Sequence, residues 1–239
     1  MATYVLIHGA WHGAWCWAKV APLLQKAGHT VIAPDLPGHG LDTTPLAEVT
    51  LDRYVERVAG ILDGLDEPAI LVGHSMGGRV ITQTAEARPD RIKLLVYLTA
   101  NLLKNGEAGA PLVDGVDTQA EIKQYRIPSA DGLSTTNRED MIGPVFYHDC
   151  SDGDIAWAKA LLVPQAAEPM ARPMQTTDAN WGRVPRVYIE CLQDRTIPIT
   201  LQREMVRRIP VQQVYTLDTS HSPFLSAPVD LARILTALA

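Results

Sequence analysis

Short apolar runs rich in β-branched residues alternate along the chain with longer stretches of helical periodicity. The runs are TYVLIH, TVIA, AILV, LLVYLT, RVYIEC and VQQVYTL, at residues 3–8, 30–33, 69–72, 94–99, 186–191 and 211–217. Continuous apolar runs of this length are typical of strands that are buried on both faces, and strands that alternate with helices form a parallel sheet. The pattern therefore predicts an α/β fold whose mostly parallel sheet is covered by helices on both faces.

The amphipathic stretches between these strands carry the usual signals of helix ends. Predicted helices occupy residues 15–27, 51–62, 76–88, 200–208 and 222–239. Gly28 follows the first as a C-terminal cap, and Pro89 ends the third. Pro223 lies in the first turn of the last one, where a proline is tolerated.

The alternation stops between residues 101 and 181. This segment is punctuated by glycine and proline and has helical stretches near residues 154–162 and 166–174. It is too long for a structureless loop. We therefore predict an α/β core from residues 1–100 and 182–239, with residues 101–181 inserted as a small, mainly helical cap within one compact domain. The cap would cover the carboxyl edge of the sheet, where open α/β sheets bind ligands.

Composition and charge exclude several classes of function. The formal net charge is −6, without a cluster of lysine and arginine, which disfavours a nucleic-acid partner. Cys16, Cys150 and Cys191 lack the spacing of a disulfide framework or a zinc site. The N-terminus shows no secretory signal, and no apolar run is long enough for a membrane span. We expect a cytoplasmic protein without metal or cofactor, and leave open whether it forms a homodimer.

The stretch LVGHSMGG, at residues 71–78, places Ser75 between a strand and a helix. The central residues GHSMG match the G-x-S-x-G nucleophile elbow, in which a sharp strand-to-helix turn exposes a serine hydroxyl above the sheet. Side chains at Gly73 and Gly77 would collide in so tight a turn. A serine that merely caps the helix is the alternative, and a phosphate loop is excluded because its lysine-containing motif is missing. We predict that Ser75 is a nucleophile.

A serine hydroxyl needs an adjacent base, and in this type of fold the order along the chain is serine, acid, histidine. His148 and His221 are the two histidines that follow Ser75, and His148 lies in the inserted segment. His221 lies in the loop between the last strand and the last helix, which makes it the predicted base. His74 precedes Ser75 directly, but adjacent residues at a sharp turn diverge, so we interpret it as a structural neighbour.

The acid is expected just after the strand RVYIEC, where Asp194 is the carboxylate of the loop CLQDRTIP. It would hold the imidazole tautomer and stabilise the imidazolium. Glu190, inside the strand, and Asp218, in the loop of the predicted base, are the alternatives. For the oxyanion hole, the elbow supplies the backbone N–H of Met76, and the loop after the first strand supplies that of Ala10.

The motifs HGAWHGAW, PDLPGHG, LVGHSMGG, VYIECLQDRTIP and TSHSPF together resemble the α/β-hydrolase superfamily. They are most similar to the branch that contains plant methylesterases, hydroxynitrile lyases and related bacterial carboxylesterases. The resemblance covers nearly the whole chain and is weakest over residues 101–144. Position by position, it implies the same functional residues: Ser75, Asp194 and His221 as catalytic triad, with the amides of Ala10 and Met76 as oxyanion hole.

Two positions separate the activities of that branch. Its lyases have a threonine where this chain has Gly9 and a lysine where it has Ser222, and both differences match the esterases. The predicted function is a cofactor-free serine carboxylesterase that acts on small to medium esters through an acyl-enzyme. A hydroxynitrile lyase and a receptor-like ligand-binding hydrolase with slow turnover are the alternatives. Candidate pocket walls, each equally interpretable as core packing, are Trp11, Phe146, Trp157, Leu161, Leu162 and Met170.

Overall fold

Six parallel strands form the central sheet over residues 1–239, which the computed structural model describes apart from the side chain of residue 120. The strands are β1 Thr3–Ile7, β2 Thr30–Ile32, β3 Ala69–His74, β4 Ile92–Leu98, β8 Arg186–Cys191 and β9 Gln213–Leu217. Their spatial order is β2-β1-β3-β4-β8-β9. Because all six are parallel, their carboxyl ends meet at one edge, and the loops that carry the predicted site residues leave from that edge.

Helices cover both faces of this sheet, as predicted. In the described chain they are α1 Ala21–Lys26, α2 Leu51–Asp63, α3 Gly77–Ala87, α4 Ala120–Lys123, α5 Glu139–Phe146, α6 Asp152–Leu161, α7 Glu168–Ala171, α8 Ile199–Arg208, α9 Pro223–Ser226 and α10 Pro228–Ala237. Helix α2 packs on α3, and α1 packs on α10. Among the described helices, none combines the length and the apolar character that a membrane span requires.

The buried core contains apolar residues of the predicted strands and helices. Every residue of β3 is buried, as expected for a central parallel strand. On α2 the buried side chains Leu51, Tyr54, Val58 and Leu62 recur every three to four residues and form one apolar face. Thr50 begins this helix by accepting a hydrogen bond at its hydroxyl from the Arg53 N–H, at 3.2 Å.

The last predicted helix is in fact two helices. Helix α9 ends at Ser226, and α10 begins at Pro228 after a non-helical Ala227 with φ −137° and ψ 51°. A proline lacks the N–H that a continuous helix needs, and its ring clashes with the preceding turn. The single helix predicted over residues 222–239 was therefore wrong at this point, although Pro228 was visible in the sequence.

Residues 101–181 contain helices α4 to α7 and, in addition, a small antiparallel sheet that was not predicted. Its strands are β5 Arg126–Pro128, β6 Ser134–Asn137 and β7 Gln165–Ala166, in the order β5-β6-β7. Strands of two to four residues, polar in the case of STTN, show no alternation that periodicity could detect. The division of the chain into core and cap at residues 100 and 182 stays a prediction.

Candidate active site

Ser75 lies at a strained turn between β3 and α3. Its φ is +54°, in the left-handed region that non-glycine residues rarely adopt. The Ser75 N–H donates to the Leu98 carbonyl at 3.3 Å, and the Ser75 carbonyl accepts from the Asn101 N–H at 3.0 Å. Both partners belong to the end of β4 and the loop after it. The neighbouring strand therefore holds the turn in its strained conformation, a type of strain that clusters at active sites.

The glycines of the turn are required by close backbone contacts. A Cβ atom at Gly73 would lie 2.6 Å from the Gly77 carbonyl oxygen, and one at Gly77 would lie 2.9 Å from the Ile7 carbonyl oxygen. Real Cβ atoms are not found at such distances from backbone oxygens. The steric reason predicted for these two glycines is confirmed.

Asp194 and His221 form a buried hydrogen-bonded pair. The His221 Nδ1–H donates to Asp194 Oδ2 at 2.6 Å, with side-chain exposures of 1% and 0%. The other carboxylate oxygen, Oδ1, accepts from the backbone amides of Thr196 at 2.6 Å and Ile197 at 2.9 Å. Each oxygen of Asp194 thus has fixed donors, and the His221 proton is held on Nδ1, which leaves Nε2 free to accept a proton.

The alternative acids are engaged elsewhere. Glu190 is bonded to Arg203, at 3.0 Å, and accepts from the hydroxyl of Thr216. Asp218 accepts from the side-chain amide of Gln193 at 2.8 Å.

Thr99 is a site residue that the sequence analysis missed. Its hydroxyl donates to Asp194 Oδ2, the oxygen that also faces His221. Thr99 directly follows β4 and has φ +35°. Strand β4 pairs with β8, so its end lies beside the loop that carries Asp194. The available signal in the sequence was a threonine hydroxyl directly after a predicted strand.

His74 is a structural neighbour of the serine, as predicted. Its Nε2–H donates to the backbone carbonyl of His221 at 2.8 Å, and the two rings are 4.6 Å apart. Burial lowers the pKa of His74 well below its usual value, with a further lowering by the His221 charge. A neutral His74 therefore positions the loop that carries His221.

The loop after β1 is held by two further histidines, whose roles were not predicted. His12 Nδ1–H donates to the Ala10 carbonyl at 2.7 Å, and the Tyr147 hydroxyl donates to His12 Nε2 at 2.6 Å. His8 Nδ1–H donates to the Gly9 carbonyl at 2.8 Å. Because these hydrogen bonds fix the carbonyls of Gly9 and Ala10, they also fix the orientation of the backbone N–H of Ala10.

The amides of Ala10 and Met76 are available for an external acceptor. Neither donates a hydrogen bond to a protein group in the part of the chain that the structure describes. Ala10 and Ser75 line the same cavity, and Met76 is the first residue after Ser75. Two unpaired backbone donors beside a serine hydroxyl are what an oxyanion hole requires.

The buried histidines predict a loss of stability on mild acidification. Burial lowers the pKa of His12 to about 3. Between pH 6.5 and 3 the unfolded chain binds a proton at His12 that the folded chain does not, so the free energy of unfolding falls as pH falls. The slope approaches about 1.4 kcal/mol per pH unit for each histidine held neutral.

Urea unfolding followed by tryptophan fluorescence at pH 7, 6 and 5 measures this slope. The fold lowers the pKa of carboxylates such as Asp42 and Glu86, and their effect on stability begins only where unfolded carboxylates, with a pKa of about 4, start to bind protons, so they contribute little between pH 7 and 5. The variant His12→Gln is expected to show a shallower slope than the wild type. Parallel curves for the two proteins would contradict the assignment.

The cavity beside Ser75 has a volume of about 170 Å³. Two of the predicted wall residues, Trp11 and Met170, line it. Phe146 packs on Trp11 at 5.8 Å, whereas Trp157 is 38% exposed and packs on Trp15. A larger groove of about 800 Å³ lies by Arg186 at the start of β8. This is the end of the strand away from Asp194, so the groove is separate from the candidate active site.

The two positions expected to separate lyases from esterases are both buried. A Cβ atom at Gly9 would lie 2.8 Å from His74 Nδ1 and 2.9 Å from Ser75 Cβ. The side chain of Ser222 is fully buried. A threonine at the first position would therefore force the site to rearrange, and a lysine at the second would place a charge in a buried position.

The sequence and the structure of this chain both match known proteins. The model of the alpha/beta hydrolase family matches residues 4–234. Methylesterase 1 of Arabidopsis thaliana is 32% identical over 251 residues, covering 99% of this chain and 95% of the relative. Putative methylesterase 11, chloroplastic, of the same plant is 33% identical over 251 residues, but the chain spans 63% of that longer protein. A pyrethroid hydrolase from Sphingobium faniae JZ-2 superposes with a TM-score of 0.89 at 31% identity, covering 99% of this chain and 96% of that one.

Proposed function

The chain belongs to the alpha/beta hydrolase family, and on that premise we propose that it is a serine carboxylesterase that hydrolyses small esters through an acyl-enzyme. The observation that carries the proposal is the buried Asp194–His221 pair at the sheet edge where Ser75 is held in a strained turn. The names of its relatives, a methylesterase and a pyrethroid hydrolase, support ester chemistry.

In the first half-reaction Ser75 Oγ attacks the ester carbonyl carbon while His221 Nε2 takes the hydroxyl proton. The oxyanion of the tetrahedral intermediate accepts hydrogen bonds from the amides of Ala10 and Met76. Collapse of the intermediate breaks the bond to the alcohol oxygen, and His221 returns its proton to the leaving alcohol. Asp194 stays ionised and stabilises the imidazolium.

In the second half-reaction water replaces the alcohol. His221 takes a proton from the water, whose oxygen attacks the acyl carbon of the Ser75 ester. The same two amides hold the second oxyanion, and collapse releases the carboxylic acid as the proton returns to Ser75 Oγ. The cycle consumes one water per ester and needs no other reactant.

Active-site labelling and ester hydrolysis test this function together. The protein is incubated with a fluorophosphonate, digested and analysed by mass spectrometry, and p-nitrophenyl acetate and butyrate are assayed in parallel. We expect one label per chain, on the peptide that contains Ser75, and hydrolysis that stops as labelling completes. An unlabelled protein that does not turn over either ester would refute the proposal and favour a ligand-binding role. Cyanide release from mandelonitrile faster than ester cleavage would favour a lyase.

Replacement of Thr99 by valine is expected to lower kcat by about 10-fold, with little change in KM. Valine keeps the shape of threonine but removes the hydroxyl that donates to Asp194 Oδ2, and a hydrogen bond to a charged group contributes about 1.5–3 kcal/mol. Steady-state kinetics of Thr99→Val and Thr99→Ser, which keeps the hydroxyl, provide the measurement. Equal losses in both variants would show that packing, and not the hydrogen bond, is responsible.

A further inference from the structure

The charged residues that line the cavity beside Ser75 are all cations: Arg79, Lys123 and Arg126. This contrasts with the chain as a whole, whose formal net charge is −6. Three positive side chains around one small cavity repel one another unless a negative charge compensates them. The partners of each cation therefore decide whether the cavity is neutralised by the protein itself.

Arg79 is 2% exposed and donates to three neutral acceptors, the carbonyls of Ala108, Pro169 and Arg172. Burial lowers its pKa to about 10, and Glu168 is the carboxylate whose charge acts against that. Glu168 is already hydrogen-bonded to the Leu51 N–H at 2.7 Å and paired with Arg172. Through these three carbonyls Arg79 links helix α3 to residues 101–181. With a pKa of about 10 it remains positively charged at neutral pH.

Lys123 is paired with Asp117 at 2.6 Å, and both side chains are partly exposed. Asp117 is also the negative charge that acts on Arg126. Asp117 therefore compensates both Lys123 and Arg126. Together with Arg79, these four side chains carry a net charge of +2.

Arg126 has an unpaired donor at the cavity. It lies in β5, its guanidinium carbon is 5.5 Å from the centre of the Trp11 ring, and its buried Nε is without a hydrogen-bond partner in the described chain. A buried N–H left unpaired is destabilising, and a ligand oxygen that accepts from it would remove that cost. Trp11 is the residue next to Ala10, so Arg126 lies beside the loop that carries an oxyanion amide.

We propose that the preferred substrates are small esters that carry a carboxylate in their acyl half, and that Arg126 binds this carboxylate with support from Lys123 and Arg79. The inference rests on the proposed esterase function. An acyl group stays on Ser75 after the alcohol has left, so a charge in that half is held through both half-reactions. The cavity of about 170 Å³ is close to the ~150 Å³ that suffices for benzene, which limits the acyl group to a short dicarboxylic monoester.

Two esters of nearly equal shape test the charge preference. Monoethyl succinate carries a carboxylate where ethyl 4-methylpentanoate carries an isopropyl group, and their hydrolysis is followed in a pH-stat at pH 7.5. We expect kcat/KM to be roughly 10–100-fold higher for the charged ester, the range expected for a charge-assisted hydrogen bond. Equal rates, or faster hydrolysis of the neutral ester, would overturn the proposal. Acetoxyacetate carries its carboxylate in the alcohol half. The proposal would also be overturned if acetoxyacetate were preferred over ethyl acetate while monoethyl succinate was not preferred over ethyl 4-methylpentanoate.

Substitutions at Arg126 test which residue binds the carboxylate. The ratio of kcat/KM for charged over neutral ester should fall roughly 10-fold or more in Arg126→Met and be largely kept in Arg126→Lys. Arg138→Met is the matched control, because Arg138 is a half-exposed arginine of the same segment that is paired with Asp140. If Arg126→Met and Arg138→Met change the ratio equally, or if the lysine variant loses it as completely as the methionine variant, Arg126 is not the carboxylate-binding residue.

Binding to Ser75→Ala separates this proposal from the esterase proposal. Isothermal titration of that variant with monoethyl succinate reports recognition without turnover. Tight binding of the charged ester by the variant, together with no hydrolysis by the wild type, would refute the esterase function and keep the anion site. Hydrolysis of neutral esters by the wild type, with no binding of the charged ester by the variant, would refute the anion site and keep the esterase.

Discussion

Replacement of Ser75 by alanine is expected to lower kcat for ester hydrolysis by about 10⁵-fold or more, because the reaction loses its nucleophile and with it the acyl-enzyme route. The amides of Ala10 and Met76 remain, so a residual rate of about 10³-fold over water is expected from the oxyanion hole and substrate binding. Structure should be kept, since alanine is smaller than serine and Ser75 makes its turn contacts through backbone atoms.

Ser222→Ala is the matched control for this loss. Ser222 is a buried serine next to the proposed base, and its hydroxyl has no partner in the described chain. Its removal should change kcat by less than about threefold, since no hydrogen bond is lost. Burst kinetics with p-nitrophenyl acetate give a second measurement, because a burst of nitrophenolate is expected for wild type and not for Ser75→Ala. A burst in the alanine variant would place the acyl group on another residue.

The parts of the site that could be predicted from the sequence are those encoded within a few consecutive residues. The elbow around Ser75 is one turn, and its glycines are explained by contacts within that turn and with the adjacent strand. Asp194 and His221 each follow a strand that the sequence predicts, and parallel strands bring their carboxyl ends together. Placing these residues at one edge therefore needed only the common direction of the strands.

The parts that could not be predicted depend on where distant segments meet. Thr99 becomes a partner of Asp194 because β4 and β8 are neighbours in the sheet, which no local pattern encodes. Arg126 lies in a three-residue strand of a small sheet that periodicity does not detect, and only the folded segment brings it to the cavity. The charge of that cavity is thus a tertiary property, opposite in sign to the charge of the chain.

Replacement of Asp194 by asparagine is expected to lower kcat by about 10⁴-fold, although the two side chains have the same shape. The amides of Thr196 and Ile197 require an acceptor at Oδ1, so the oxygen of the asparagine must stay there. Its NH₂ group then occupies the position of Oδ2 and donates to His221 Nδ1. This forces the His221 proton onto Nε2, and an Nε2 that carries a proton cannot accept one from Ser75.

Rapid-mixing assays of Asp194→Asn with p-nitrophenyl acetate measure the loss in kcat, and circular dichroism checks that the fold is kept. The matched control is Asp218→Asn, an equal change at a carboxylate of the same sheet edge that is bonded to Gln193 rather than to a histidine. It should stay within about twofold of wild type, because an exposed bond of this kind contributes little. If Asp218→Asn lost as much activity as Asp194→Asn, the tautomer argument would fail. The buried contact at 2.6 Å between Asp194 and His221 would then be structural rather than catalytic.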